Sequence, residues 1–302
     1  MNALLRLLLI VILCLSTASI GSSQVLAASI RTQAYAKATD VLNLRTGPGT
    51  GYTVIRVIPS GARVYVYSGP HNTSWYKVGY GGSTGYSHGA YLAPGYLTTV
   101  YKLGTTRKVV ALTFDAGADT GYARQILDTL KSRGVKATFG ITGKWAEANP
   151  ALVRRMVNEG HSLINHTYSH RSFTGRSSET RALTYQERSD ELWKTQSIVA
   201  RIASGNTRPY FRPPYGDFDN SVLADVWSPG YTYNVMWSTD SLGWKGLTRQ
   251  QIVQRVMNGA QPGAIYLFHV GAQAQDGPAL PEIISKLRAQ GYSFATVSAY
   301  YK

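Results

Sequence analysis

The chain of 302 residues contains one cysteine, Cys14, and it lies inside the apolar run LLLIVILCL near the start. Disulfides are excluded, so the folded part must rely on its core for stability. Acidic residues are scarce: 16 Asp and Glu stand against 31 Lys and Arg, giving a formal net charge of +15. A chain this basic is attracted to polyanions. Nucleic acid is the generic polyanion, but the Lys and Arg residues are scattered rather than clustered, so solubility and weak adhesion are the alternative reading of the charge. No internal repeat or low-complexity tract is visible. In residues 1–28 the only charge is Arg6, followed by the apolar run and by small residues ending VLAA. That is the layout of a secretory signal, with cleavage expected after Ala27 or Ala28. The alternative is an uncleaved N-terminal anchor, although the run is short for a membrane span. Cys14 lacks the preceding small residue that lipid attachment wants. Export turns the charge argument towards anionic wall polymers or a membrane surface.

What is present is the composition of a folded protein, 44% apolar with 21 Tyr and 6 Trp. Residues 38–94 read as short strands. Val64 and Val66 alternate with Tyr65 and Tyr67, turns fall at Gly47-Pro48-Gly49 and Ser60-Gly61, and WYKVGYGGSTGYSHGAYL forms a hairpin about Gly81-Gly82. Strands without helices imply a small all-β barrel. Residues 93–106 read as a turn-rich join. From Arg107 the pattern alternates: RKVVALTF as a buried strand, then a helix in TGYARQILDTLKSRG with Ile126, Leu127 and Leu130 on one face. Further on, Asn149 and Pro150 open a helix, Thr184 and Glu187 form a capping box, Thr248 caps another helix, and a last helix follows Pro281. About seven such units predict a (β/α) barrel. An open doubly wound sheet is the alternative.

Polar residues gather at the C-terminal ends of the predicted strands, where barrel enzymes place their chemistry. Asp115 follows RKVVALTF, His166 follows HSLIN, Arg212 closes PYFR, Asp240 follows YTYNVMWST, and His269 ends GAIYLFH. In NHTYSH, His166 and His170 are four apart, so one helical turn would bring both imidazoles to one face, as in helical zinc motifs.

These motifs carry two resemblances. LNLRTGPGTGYTVIRVIPSGARV with WYKVGYGGSTGYSHGAYL resembles the bacterial SH3 (SH3b) domain, a family that usually binds cell-wall peptides or glycans. TFDAGAD (113–119), HTYSH (166–170), RPPYG (212–216), DSLGW (240–244) and LFH (267–269) resemble the ordered motifs of the NodB-like polysaccharide deacetylases, carbohydrate esterase family four. The resemblance implies a multidomain protein, a small all-β SH3b barrel followed by a distorted (β/α) barrel. Its boundaries would be a signal peptide at 1–28, the SH3b domain at 29–96, a linker at 97–106 and the deacetylase domain at 107–302. It also implies one divalent metal, Zn2+ first among candidates, on His166 and His170. Asp115 would be the general base, Arg212 would orient it, and His269 would be the general acid. The Tyr215 backbone N–H would hold the oxyanion, with Pro214, Trp244 and Leu267 lining the acyl pocket.

Two positions depart from the family pattern. Ala116 stands where a metal-binding aspartate is usual, and Asp119 is the expected substitute ligand if its loop turns back. Gly243 stands where an aspartate usually pairs with the histidine acid, and Asp240 is expected to take over that role or to help hold Arg212. The expected partner is peptidoglycan or a related N-acetylated glycan such as chitin-like polymer, with SH3b contact to the wall and no nucleic acid. The expected location is secreted and wall-associated. A non-catalytic wall-binding protein is the other class.

Overall fold

The computed structural model describes residues 34–302 apart from Thr73 and Ser228, so the expected signal peptide lies outside the described residues. The first sheet follows from alternation. Val64, Val66 and Val78 are fully buried with Leu44 and Ile58, while Tyr67 and Tyr35 reach solvent. Its strands are β1 (Ala34–Ala38), β2 (Leu42–Arg45), β3 (Val54–Ile58), β4 (Arg63–His71), β5 (Trp75–Tyr80), β6 (Ser83–His88) and β7 (Leu92–Pro94). They pair antiparallel in the order β3-β2-β6-β5-β4-β1-β7. The β5–β6 turn holds Gly81 and Gly82 at φ 55° and 79°, a region that favours glycine.

The second sheet contains β8 (Thr98–Val100), β9 (Val109–Ala116), β10 (Thr138–Ile141), β11 (Ser162–Asn165), β12 (Tyr210–Phe211), β13 (Tyr233–Val235), β14 (Thr239–Asp240), β15 (Ile265–His269) and β16 (Ser293–Phe294). Every named pair in it is parallel. The path is β14-β15-β9-β10-β11-β12-β13-β8, with β16 beside β9. Apart from β8, which joins at the β13 edge, the strands run round in chain order, β9 to β13 and then β14 and β15 back to β9, without the reversal of an open doubly wound sheet, so the sheet is a curled (β/α) barrel left open at one seam. The segment expected to be a linker supplies a strand at that seam: β8 pairs with β13 through Thr98–Tyr233, Thr99–Asn234 and Val100–Val235. Leu97, Val100 and Leu103 are each buried. Their three-residue spacing matches neither strand alternation nor a long helix, which is why the segment reads as a join.

Strand β9 is buried along its whole length, and its two faces meet different surroundings. Val109 and Ala111 line the interior cluster, whereas Val110, Leu112, Phe114 and Ala116 pack under the helices. The helices are α1 (Ala123–Ser132), α2 (Gly143–Ala148), α3 (Pro150–Asn158), α4 (Tyr185–Ala203), α5 (Asn220–Trp227), α6 (Arg249–Asn258) and α7 (Asp276–Ala289). The capping box of Thr184 and Glu187 opens α4, and Thr248 with Gln251 opens α6. Asn149 is the N-cap of α3, but its side chain is used elsewhere, donating to the Trp145 carbonyl and accepting from Thr120. The last helix begins at Asp276 rather than after Pro281. Pro281 sits inside it, where the missing N–H forfeits only the bond to the Gly277 carbonyl.

His161, between α3 and β11, is buried and its Nδ1 accepts the Ala137 N–H at 3.1 Å. Burial, assisted by Lys136, lowers its pKa from 6.5 to about 4, against the weaker pull of Glu159. The unfolded chain therefore binds more protons between pH 6.5 and about 4. The stability held above pH 6.5 is lost across that window and levels off below it. At about 1.4 kcal/mol per pK unit the loss is of the order of 3 kcal/mol. Urea titrations of His161→Gln, which keeps an acceptor for Ala137, should show a flatter acid limb between pH 6.5 and 4; an unchanged limb would assign it to other groups.

Candidate active site

The strand ends converge on Arg212, which follows β12 and has no exposed surface. Its Nε donates to the Val235 carbonyl at 2.8 Å, Nη2 to Thr113 Oγ1 at 3.0 Å, and Nη1 to Asp115 Oδ1 at 2.7 Å. Asp115, near the end of β9, is thereby fixed with one oxygen held and the other, Oδ2, 3.5 Å from His166 Nε2. Burial pushes the Asp115 carboxyl up, but Arg212, His166 and His269 together hold it below its ordinary value. Gly140 on β10 gives the carboxylate room, since a Cβ there would collide with Asp115 Oδ1.

The histidine pair does not sit on a helical turn. Residues 166–170 form a loop after β11, with Thr167 and His170 at φ 67° and 61°. Positive φ in a β-branched residue is a strained conformation, of the kind that costs about 1–3 kcal/mol and persists where the surroundings over-determine it. Here they do. Asn165 Oδ1 accepts the Thr167 N–H, Thr167 Oγ1 accepts the His170 N–H, and the Glu191 carboxylate on α4 accepts the N–H groups of Tyr168 and Ser169 and the Ser169 hydroxyl. Nothing in the sequence marks Glu191, a lone acid on a helix, as the support of this loop. His166 Nδ1 lies 2.9 Å from the Arg212 carbonyl. A carbonyl only accepts, so Nδ1 carries the proton and Nε2 presents its lone pair. His170 Nε2 stands 3.2 Å from that atom. Burial, together with His166, lowers the His170 pKa to about 3, so this imidazole is neutral at pH 7.

His269 ends β15 in register with Asp115. Burial lowers its pKa, while Asp115 and Asp240 pull the other way. Leu267, two residues earlier, is buried beside Thr113. Asp240 takes neither role expected of it among the contacts seen. Its carboxylate accepts from the Leu242 N–H at 2.8 Å and from Trp244 Nε1 at 3.1 Å. Trp244 is half exposed rather than core. Tyr215, at φ 61°, follows buried Pro214 and sets its ring edge-on to His170 with centroids 4.7 Å apart.

Asp119 is not brought to the imidazoles. It is exposed, and its carboxylate accepts the Ala272 N–H at 2.9 Å while its carbonyl accepts Trp145 Nε1. It does not cap α1 either, whose N-cap is Tyr122. Ala116 packs in the cluster under the helices, away from the Asp115 face of β9. Among the described residues no three His, Cys, Asp or Glu side chains form a closed metal cage. The donors still fit one divalent ion. Bonds of 2.0–2.1 Å in a tetrahedron leave donor atoms about 3.3 Å apart, close to the 3.2 Å between the two imidazoles. The arrangement is a two-imidazole clamp with a carboxylate beside it.

In the first sheet, Asn43, Arg45, Trp75, His88 and Tyr91 line an open groove. The Trp75 ring meets His88 edge-on at 5.3 Å.

Comparison with known proteins agrees with both halves. The bacterial SH3 domain family matches residues 40–93, and the polysaccharide deacetylase family matches residues 102–234. The peptidoglycan-N-acetylglucosamine deacetylase of Bacillus cereus is 36% identical over 197 residues, covering 64% of this chain and 68% of that protein. The peptidoglycan-N-acetylmuramic acid deacetylase PdaA of Bacillus subtilis is 34% identical over 201 residues, covering 65% and 73%. A crystal structure of a peptidoglycan N-acetylglucosamine deacetylase with 4-naphthalen-1-yl-N-oxidanyl-benzamide superposes with TM-score 0.61 at 33% identity, over 67% of this chain and 92% of that one. A carbohydrate esterase family four pseudoenzyme from Bacillus anthracis also superposes with TM-score 0.61, at 29% identity over 71% and 72%. With its motifs at the ends of the barrel strands and relatives of this similarity, the chain belongs to the polysaccharide deacetylase family.

Proposed function

We propose that this chain is an exported hydrolase that removes N-acetyl groups from amino sugars of peptidoglycan. The observation that carries the reading is the buried line Arg212–Asp115–His166–His170, with His269 across from Asp115 on the neighbouring strand. His166 and His170 would hold one divalent ion, zinc being the first candidate for paired imidazoles. When bound, such an ion supplies Lewis acidity at the acetyl oxygen and lowers the pKa of water towards neutrality.

The chain's own groups do the rest. Arg212 locks Asp115 Oδ1, which leaves Oδ2 free to accept the proton of the attacking water. His269 hands a proton to the departing amine, so that the sugar leaves as a neutral amine. The Tyr215 backbone N–H would hold the oxygen that becomes negative. The SH3b groove would hold the protein at the wall, and residues 1–28 would direct its export.

A second reading, a wall-binding protein with little or no turnover, is favoured by Asp119 facing Ala272 and by the absence, among the described residues, of a three-ligand cage. Purified peptidoglycan separates the two. Acetate release that chelator abolishes and zinc restores is the expected result; no metal-dependent release from peptidoglycan or chitin oligomers would establish the binding reading. For the ligands, His166→Ala should lower zinc content at least tenfold, while Asp119→Ala keeps it near the parent value. Loss of zinc in the Asp119 variant would return that residue to the site. At the groove, Tyr91→Ala should weaken co-sedimentation with cell walls roughly five- to tenfold without changing turnover of soluble oligomers, the loss expected for one aromatic contact; equal sedimentation would place wall contact elsewhere.

A further inference from the structure

The two imidazoles of the clamp are not held alike. His166 directly follows β11, but His170 lies five residues beyond that strand, at φ 61°. A non-glycine residue in the left-handed region persists only where its surroundings fix it. Upstream of His170 the fixing group is Glu191, which accepts the N–H groups of Tyr168 and Ser169. Downstream, residues 171–175 belong to no helix or strand.

A second carboxylate gathers that downstream stretch. Asp217 Oδ2 accepts the Ser172 hydroxyl at 2.9 Å, the Thr174 hydroxyl, and the Ser177 N–H at 3.3 Å. Its Oδ1 accepts Arg176 Nη2 at 2.7 Å and Nε at 3.2 Å. Ser172 is buried and its Oγ also accepts the Gly175 N–H, so the carboxylate reaches the inside of the loop. The Asp217 side chain is only 8% exposed. Burial alone would raise its pKa, but the bonds from Thr174, Arg176, Ser172 and Ser177 outweigh burial and hold it down to about 2.

Asp217 also belongs to the other side of the site. It follows the turn Pro214–Gly216, in which Tyr215 stands at φ 61°, and its N–H closes that turn on the Pro214 carbonyl at 3.1 Å. One residue therefore joins two loops whose rings meet edge-on, His170 against Tyr215, with centroids 4.7 Å apart.

We propose that Asp217 is a positioning residue for His170: by gathering the loop downstream of the histidine onto the Tyr215 turn, it keeps the imidazole at its place in the clamp. Asp217 touches neither ion nor substrate and moves no proton. The consequence for metal binding rests on His166 and His170 being the ligands; the holding of the loop does not.

Amide hydrogen exchange on the metal-free protein tests the holding. The His170 N–H donates to Thr167 Oγ1. In Asp217→Ala its exchange should speed up about tenfold or more, while amides in the middle of α4 stay within about twofold. An unchanged His170 amide overturns the proposal. Zinc affinity, read by competition with a chelating dye where every variant is folded, separates positioning from stability. Asp217→Ala should bind zinc about tenfold more weakly, the loss expected when the partner that orients a ligand is removed. Val199→Ala, a core truncation on α4, should lower the unfolding midpoint and leave zinc affinity within about twofold. An equal loss of affinity in both variants makes Asp217 merely structural and overturns the proposal. Ser172→Ala should weaken zinc binding about threefold in the parent and add nothing in the Asp217→Ala background, since both changes remove one bond; additive losses count against the proposal. If the intact protein binds no zinc, the ligand reading falls, and the His170 amide still decides the holding.

Discussion

A guanidinium with no contact to water sits at the centre of the barrel mouth, and the geometry of the site depends on how completely it is paired. Removing a charge from water is tolerable only where its donors are met and an opposite charge is close. Arg212 meets both conditions through Asp115, Thr113 and the Val235 and Met236 carbonyls. A lysine would bring one point charge where this site uses a planar fork. Through the fork Arg212 selects which Asp115 oxygen is free, and through its own carbonyl it selects the tautomer of His166. One residue therefore sets the orientation of a carboxylate near the end of β9 and of an imidazole in the loop after β11.

Much of this was legible in the chain. Buried strands followed by polar residues put Asp115, His166, Arg212 and His269 at one end of a parallel sheet, and helix caps such as Thr184 and Thr248 fell where hydrogen-bonding chemistry demands them. What failed was local geometry that tertiary contacts impose. His166 and His170 have helical spacing, yet Asn165 and Glu191 bend their segment into a loop with two left-handed residues. Asp119 is an acid in the right neighbourhood of the sequence, but the Ala272 N–H claims it. The β8 strand escaped notice because three residues paired on one side carry too little alternation to read.

Gly243 and Asp276 show a different limit. A departure from a family pattern reads as a deletion when positions are compared one at a time. In the folded chain the same departure is an exchange of volume: a glycine on one loop makes room for a carboxylate on a helix 33 positions later. No periodicity or propensity links those positions, and only the close approach of Gly243 to the Asp276 carboxylate does.

The passage from β7 to β8 is only three residues long, 95–97, and it is not slack. Gly95 lies flat against the Trp227 ring, and the Arg63 guanidinium stacks over the same ring at 4.7 Å. Three residues reach about 10 Å at full extension. A long leash would let a catalytic face sweep a wide territory around one anchoring point on a polymer mesh. Among the described residues no such leash joins the two sheets, so under the proposed hold on the wall, covering more of the mesh would require letting go and landing again.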